Sequence, residues 1–163
     1  GAYALERAKK AGIPAVTLLK KQLGGQKEFE AALQKTLEEY AIDVIVLAGF
    51  MTILSGDFTD KWPKRILNIH PALIPSFCGA GFYGLKVHEA ALEYGVKVTG
   101  ATVHFVNSIP DGGEIIAQKA VEVHPGDTPE ILQRRVMEQA EWILLPQATE
   151  KVCAELTQQV KGE

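Results

Sequence analysis

The unbroken apolar run Val44-Ile45-Val46-Leu47-Ala48 constrains this chain most. A short stretch this apolar and this rich in β-branched residues suits a parallel strand covered on both faces. Asp43 leads into it. A second apolar stretch, Ile66-Leu67, continues through Asn68-Ile69-His70 and stops at Pro71, which reads as another strand entering a loop. Strand side chains alternate between faces, so Asn68 and His70 point the same way. A polar pair at the carboxyl end of a buried strand marks the ligand crevice of an open α/β sheet.

The remaining elements follow from period and punctuation. Ala2 to Ala11 reads as the later part of a helix, ended by Gly12 and Pro14. Ala15 to Leu19 reads as a strand and Lys20 to Gln26 as a polar loop. Phe29, Leu33, Leu37 and Tyr40 recur at helical spacing. Ser55 is an N-cap for a short helix through Trp62. Pro71 to Gly84 is a long loop. Leu85 to Tyr94 reads as a helix with Gly95 as its C-cap. Lys97 to Asn107 and Glu114 to Val123 form a hairpin, joined through Ser108 to Gly113. Asp127 or Thr128 caps a final long helix with Pro129 in its first turn. Leu132, Val136, Ala140, Leu144, Ala148, Val152 and Leu156 form its apolar stripe. Pro146 should kink or break it. No linker or repeat interrupts the pattern, so residues 1–163 are expected to form a single α/β domain.

Composition narrows the function. The chain has 163 residues, a net charge of -3 and no basic stretch, which argues against nucleic acid as the main partner. Its apolar runs fall far short of a membrane span. No basic-then-apolar leader pattern opens it, so a cytoplasmic setting is expected. Cys78 and Cys153 have no metal-ligand spacing, and with the four histidines they make no ligand cluster, so no metal is expected. The sequence leaves a Cys78–Cys153 bridge open.

The chemistry-bearing residues are few. An amide beside an imidazole, Asn68 with His70, suits a carbonyl that becomes an oxyanion. Asp111, in the tight turn Pro110-Asp111-Gly112-Gly113, supplies a carboxylate partner. Without further information Asp111 is an ordinary turn former, and Asn68 and His70 could equally be satisfied core polar groups. His104 and His88 read as structural, and His124 as solvated. No Ser or Cys sits in a nucleophile-elbow pattern, which favours direct transfer over a covalent enzyme intermediate.

Several motifs together carry a resemblance. Leu47-Ala48-Gly49-Phe50-Met51, Asn68-Ile69-His70-Pro71-Ala72-Leu73-Ile74-Pro75 and Thr99 to Val106 resemble the glycinamide ribonucleotide formyltransferase family. Asp111-Gly112-Gly113-Glu114-Ile115-Ile116 and the helix from Arg134 to Pro146 continue the likeness. It covers essentially the whole chain, in order. It implies a Rossmann-like formyltransferase fold: a mostly parallel twisted sheet, an antiparallel C-terminal extension and a long C-terminal helix. It implies formyl transfer from 10-formyltetrahydrofolate to the amine of glycinamide ribonucleotide in purine biosynthesis, by a monomer or homodimer.

Carried over residue by residue, the resemblance makes Asn68, His70 and Asp111 catalytic. It lines a folate pocket with Met51, Thr52, Ile53 and Leu54 and with Asn107, Ser108, Ile109 and Pro110. It places Pro71, Ser76 and Glu141 against the ribonucleotide, with Glu141 meeting the glycyl amine. Family members open with a strand and a Gly-rich phosphate loop at a helix N-terminus, and nothing like that loop occurs in this sequence. The 163 residues are therefore expected to bind the ribonucleotide poorly by themselves. The Gly79–Lys86 segment is longer than in the shortest members. The rival readings are a formyltetrahydrofolate hydrolase, with water in place of the amine, and a non-catalytic folate-binding fragment. An acidic chain without an added RNA-binding domain fits transfer-RNA formyltransferase less well.

Overall fold

Alternation along β2 (Ile66–His70) organises the sheet. One neighbour is β1 (Ile45–Leu47), which runs parallel to it with Leu47 opposite Asn68. The other is β3 (Val98–Phe105), which runs antiparallel, and β4 (Ile115–Glu122) runs antiparallel beyond that. The computed structural model describes residues 2–161. Its sheet has four strands in the order β1-β2-β3-β4, with one parallel and two antiparallel pairings. It is an α/β fold with an open mixed sheet. The antiparallel extension supplies more of the sheet than the sequence reading expected.

The chain divides after Ile42 into two compact units. The first holds three helices: α1 (Tyr3–Lys10), α2 (Lys20–Leu23) and α3 (Gln26–Glu39). Within α3 the expected apolar spacing buries Phe29 and half-buries Leu33 and Leu37. Ala15 to Leu19, expected as a strand, forms none. A strand exists through its ladder, and among the described residues this unit holds no strand for it to pair with. The polar stretch after it, expected as loop, winds the single turn of α2 before Gly24 ends it in the left-handed region.

The second unit carries the sheet, α4 (Gly56–Thr59), α5 (Leu85–Tyr94), α6 (Pro129–Val136) and α7 (Trp142–Lys161). Ser55 caps α4, its hydroxyl accepting from the Phe58 N–H at 3.3 Å. Thr128 rather than Asp127 caps α6, accepting from the Ile131 N–H at 3.4 Å. Gly95 closes α5 in the left-handed conformation. One sheet face is apolar. Leu67, Val103, Leu144, Ala148 and Val152 form one core cluster, and Ala101, Val121, Leu132, Val136 and Ala140 form another. The C-terminal stripe therefore packs along that face. The final helix does not break at Pro146, the fifth residue of α7. Its irregularity lies one turn earlier, in a π turn over Met137–Glu141.

Candidate active site

The opposite face of the sheet is polar for the same period-two reason. Asn68 stands opposite His104, and His70 opposite Thr102. These four side chains share one face, while their neighbours Leu67, Ile69 and Val103 turn to the helical side. The Thr102 hydroxyl donates to the Ala72 carbonyl at 2.7 Å and accepts from the Ile74 N–H at 3.1 Å. Gln118 of β4 donates to that hydroxyl and to the Ile74 carbonyl. Thr102 and Gln118 thus pin the loop that follows His70. A bulge interrupts the β3–β4 register between Val103 and His104, which is where a strand re-aims its side chains.

Asp111 reaches this face from the loop between β3 and β4. Its φ of 53° is left-handed, a conformation Asp tolerates better than most residues. A Cβ on Gly113 would lie 1.7 Å from the Phe105 carbonyl oxygen, so only glycine lets this turn close on the strand. Asp111 Oδ2 lies 3.5 Å from His70 Nδ1, and Oδ1 lies 3.5 Å from His104 Nε2. Oδ2 also accepts from the Gly79 N–H at 2.8 Å. Burial pushes the Asp111 carboxyl up, but the His104 contact, the Gly79 N–H and the charges of both imidazoles outweigh it. The carboxyl is held below its ordinary value and is ionised at neutral pH.

Both imidazoles are buried, His70 at 4% and His104 at 2% exposure. His70 Nε2 lies 2.8 Å from the Phe77 carbonyl and therefore carries a proton there. Its other nitrogen faces Asp111. His104 Nδ1 lies 2.8 Å from the Phe105 carbonyl, which places a proton on Nδ1. Its Nε2 faces the Asn68 amide at 3.2 Å and Asp111 at 3.5 Å. A neutral His104 accepts from the Asn68 N–H, and a protonated one donates to Asp111. The arrangement offers a carbonyl two things: a held amide, and an imidazole with a carboxylate beside it.

Two cavities flank this cluster. One, of about 540 Å³, is lined by Met51, Thr52, Ile53 and Leu54, and by Asn107, Ile109 and Pro110. Ser108 is not among its lining residues. The other, of about 300 Å³, is lined by Pro71, His70, His88, Gln133, Met137 and Glu141. Ser76 lies outside that lining, in the turn where its N–H bonds the Leu73 carbonyl at 2.9 Å. Asn68 and Asp111 line both cavities, and so do Phe50, Met51, Phe82 and Tyr83. Both cavities open beyond the carboxyl ends of the parallel pair β1 and β2, the usual crevice of such a sheet.

Glu141, in the π turn, is half-buried in the smaller cavity, and burial pushes its carboxyl up. Burial pushes the His88 imidazole down to about 4, with His70 adding to the effect, so His88 is neutral. Burial, then the Asp111 charge, pushes the Cys78 thiol up, which makes it a poor nucleophile. Both cysteines are free. Among the described residues no cluster of His, Cys, Asp or Glu is arranged to hold a metal ion, and no helix is long and apolar enough to cross a membrane.

The structure brings Asn68, His70 and Asp111 into one cluster and adds His104, which the sequence reading took as structural. The signal was available: pairing the two strands antiparallel sets His104 opposite Asn68. Phe82, Tyr83, the Phe77 carbonyl and the Gly79 N–H gave no such signal, because loop positions carry no period.

Known proteins share this chain's sequence pattern and fold. The formyl transferase family matches residues 1–149. A trifunctional purine biosynthetic protein adenosine-3 from Gallus gallus is 49% identical over 154 residues, which are 94% of this chain and 15% of that protein. A phosphoribosylglycinamide formyltransferase from Haemophilus influenzae is 42% identical over 138 residues, 85% of this chain and 63% of its own length. This chain thus spans less than two thirds of either relative. A solved phosphoribosylglycinamide formyltransferase from Streptococcus pneumoniae superposes with a TM-score of 0.84 at 36% identity, over 93% of this chain and 81% of that one.

Proposed function

The chain belongs to the formyl transferase family, and from that premise we propose that it transfers a formyl group from 10-formyltetrahydrofolate to the amine of glycinamide ribonucleotide. One observation carries the reading beyond family likeness. Asn68 and Asp111 line both cavities, so the polar cluster stands where two bound substrates would meet. Direct transfer needs that junction, and positioning supplies much of its acceleration.

In this reading the larger cavity takes the folate and the smaller one takes the ribonucleotide, with Glu141 meeting the amine. The neutral amine attacks the formyl carbon, and the carbonyl π electrons move to oxygen. The Asn68 amide and the protonated His70 donate to that oxyanion. Freeing His70 Nε2 for this requires the Phe77 carbonyl, now 2.8 Å away, to yield its hydrogen bond. Collapse restores the carbonyl and breaks the bond from carbon to N10 of the folate. The amine's proton passes to N10, with Asp111 balancing the charge on His70 and His104 as it moves.

The test is turnover with both substrates. The products should be formylated ribonucleotide and tetrahydrofolate in equal amounts. Asn68→Ala and His70→Ala should each slow transfer about 10²-fold or more while the chain still folds. Formate released at the same rate with and without the ribonucleotide would make water the acceptor and overturn the proposal in favour of the hydrolase.

A further inference from the structure

His88 stands apart from every other buried imidazole of the site. His70 and His104 each have both ring nitrogens against a partner. His88 has none on either nitrogen among the described residues, although it is completely buried. It sits in the first turn of α5 and lines the smaller cavity together with Gln133, Met137 and Glu141. A histidine kept for packing would be hydrogen-bonded, since buried polar groups almost always are. A neutral imidazole offers one N–H donor and one lone pair. Glu141, across the same cavity, is a half-buried carboxylate with no cation beside it among the described residues. Among the described residues, polar groups without a partner thus stand on two different elements that line this cavity, α5 and the π turn.

We propose that His88 is a substrate-positioning residue of the acceptor cavity, its imidazole taking up a hydroxyl or amide group of the bound ribonucleotide while Glu141 takes the amine. This rests on the transferase reading. It assigns the acceptor two anchors on separate helices, which would fix its orientation toward Asn68 and His70. The donor cavity, which His88 does not line, is untouched.

Two substitutions in the 163-residue chain test it. His88→Phe keeps most of the volume and removes both nitrogens, and His88→Asn keeps a donor and an acceptor. Without ligand, His88→Phe should melt at or above the parent temperature, because no hydrogen bond is lost. With substrates, KM for glycinamide ribonucleotide should rise about tenfold, the worth of one good hydrogen bond. KM for the folate should stay within about twofold, and His88→Asn should recover part of the loss. A fall in melting temperature of about 5 °C or more in His88→Phe would mean the imidazole holds the fold, and the proposal would be wrong. An unchanged ribonucleotide KM, or both KM values rising together, would overturn it as well. Failure of the transferase reading would appear instead as absent turnover in the parent, and the melting comparison would still decide the role of His88.

Discussion

Asp111 concentrates three demands in one side chain. It must close a left-handed turn, tie the Gly79 N–H to that turn, and face two imidazoles. Asn meets the first demand as well as Asp does, because both side chains tolerate the left-handed region. Its amide oxygen can still accept from Gly79. What Asn cannot supply is the negative charge between His70 and His104. Asp111→Asn should therefore slow single-turnover transfer by about 10²-fold and shift the melting temperature little. A variant within about threefold of the parent would reduce Asp111 to a turn former. The sequence displayed Asn68 and His70 because a strand has a period, and the His104 contact became legible only once that strand was paired antiparallel with the next. It also could not display Phe77 and Gly79, whose contributions are backbone atoms and leave no mark on side-chain type.

The C-terminal helix illustrates what a stripe says about an element. Its buried positions advance by four residues from Leu132 to Val152, never by three. Each such step overshoots one α-helical turn by about 40°, so a straight helix would carry the stripe off the sheet. The π turn at Met137–Glu141 adds a residue to one turn and takes back part of that drift. The unbroken spacing of four was thus the legible trace of the π turn, and the irregularity sits there rather than at Pro146. The entrance to the same helix is held by a different device. Asp127 receives both terminal nitrogens of Arg135, at 2.5 and 2.7 Å, while its Oδ2 also accepts from the His124 N–H. Arg135 donates as well to the Glu122 carbonyl at the end of β4. The hydrogen bonds from Arg135 hold the Asp127 carboxyl down at about 2. A carboxyl depressed in the folded state adds stability above its ordinary value of 3.8, and that stability is lost as pH falls toward 2. Asp127→Asn should therefore cost about 2 kcal/mol at neutral pH. The gap between parent and variant should close between about pH 4 and pH 2 in denaturant titrations. A gap that persists at pH 2 would assign the loss to packing instead of charge.

At the scale of the molecule the decisive feature is a shared wall. Phe50, Met51, Phe82 and Tyr83 line both cavities, so filling one changes the surface offered to the other. Phe82 is held in an aromatic chain, its ring 6.3 Å from Phe77, which in turn lies 6.0 Å from Tyr94. Phe77 also gives its carbonyl to His70. A ligand that presses on Phe82 is thus mechanically connected to the His70 imidazole and to the second cavity. The fold class was readable from apolar runs and turn residues, whereas the Phe82 and Tyr83 side of this wall was not, because it is built from a loop whose path only the packed protein defines. Affinity coupling follows from the shared surface. A non-reactive folate analogue should tighten glycinamide ribonucleotide binding by about 5-fold or more, a coupling of about 1 kcal/mol. Linkage requires the ribonucleotide to tighten analogue binding by the same factor. Calorimetric titration of each ligand with and without the other measures both sides of that cycle. Phe82→Ala, which removes the ring from the wall but leaves Asn68, His70 and Asp111 in place, should bring the factor close to one. If the two ligands bind independently in the parent, the cavities are neighbours without communication and the wall is only a boundary. If coupling survives in Phe82→Ala, it runs through Phe50, Met51 or Tyr83, and the Phe82 ring has no part in it.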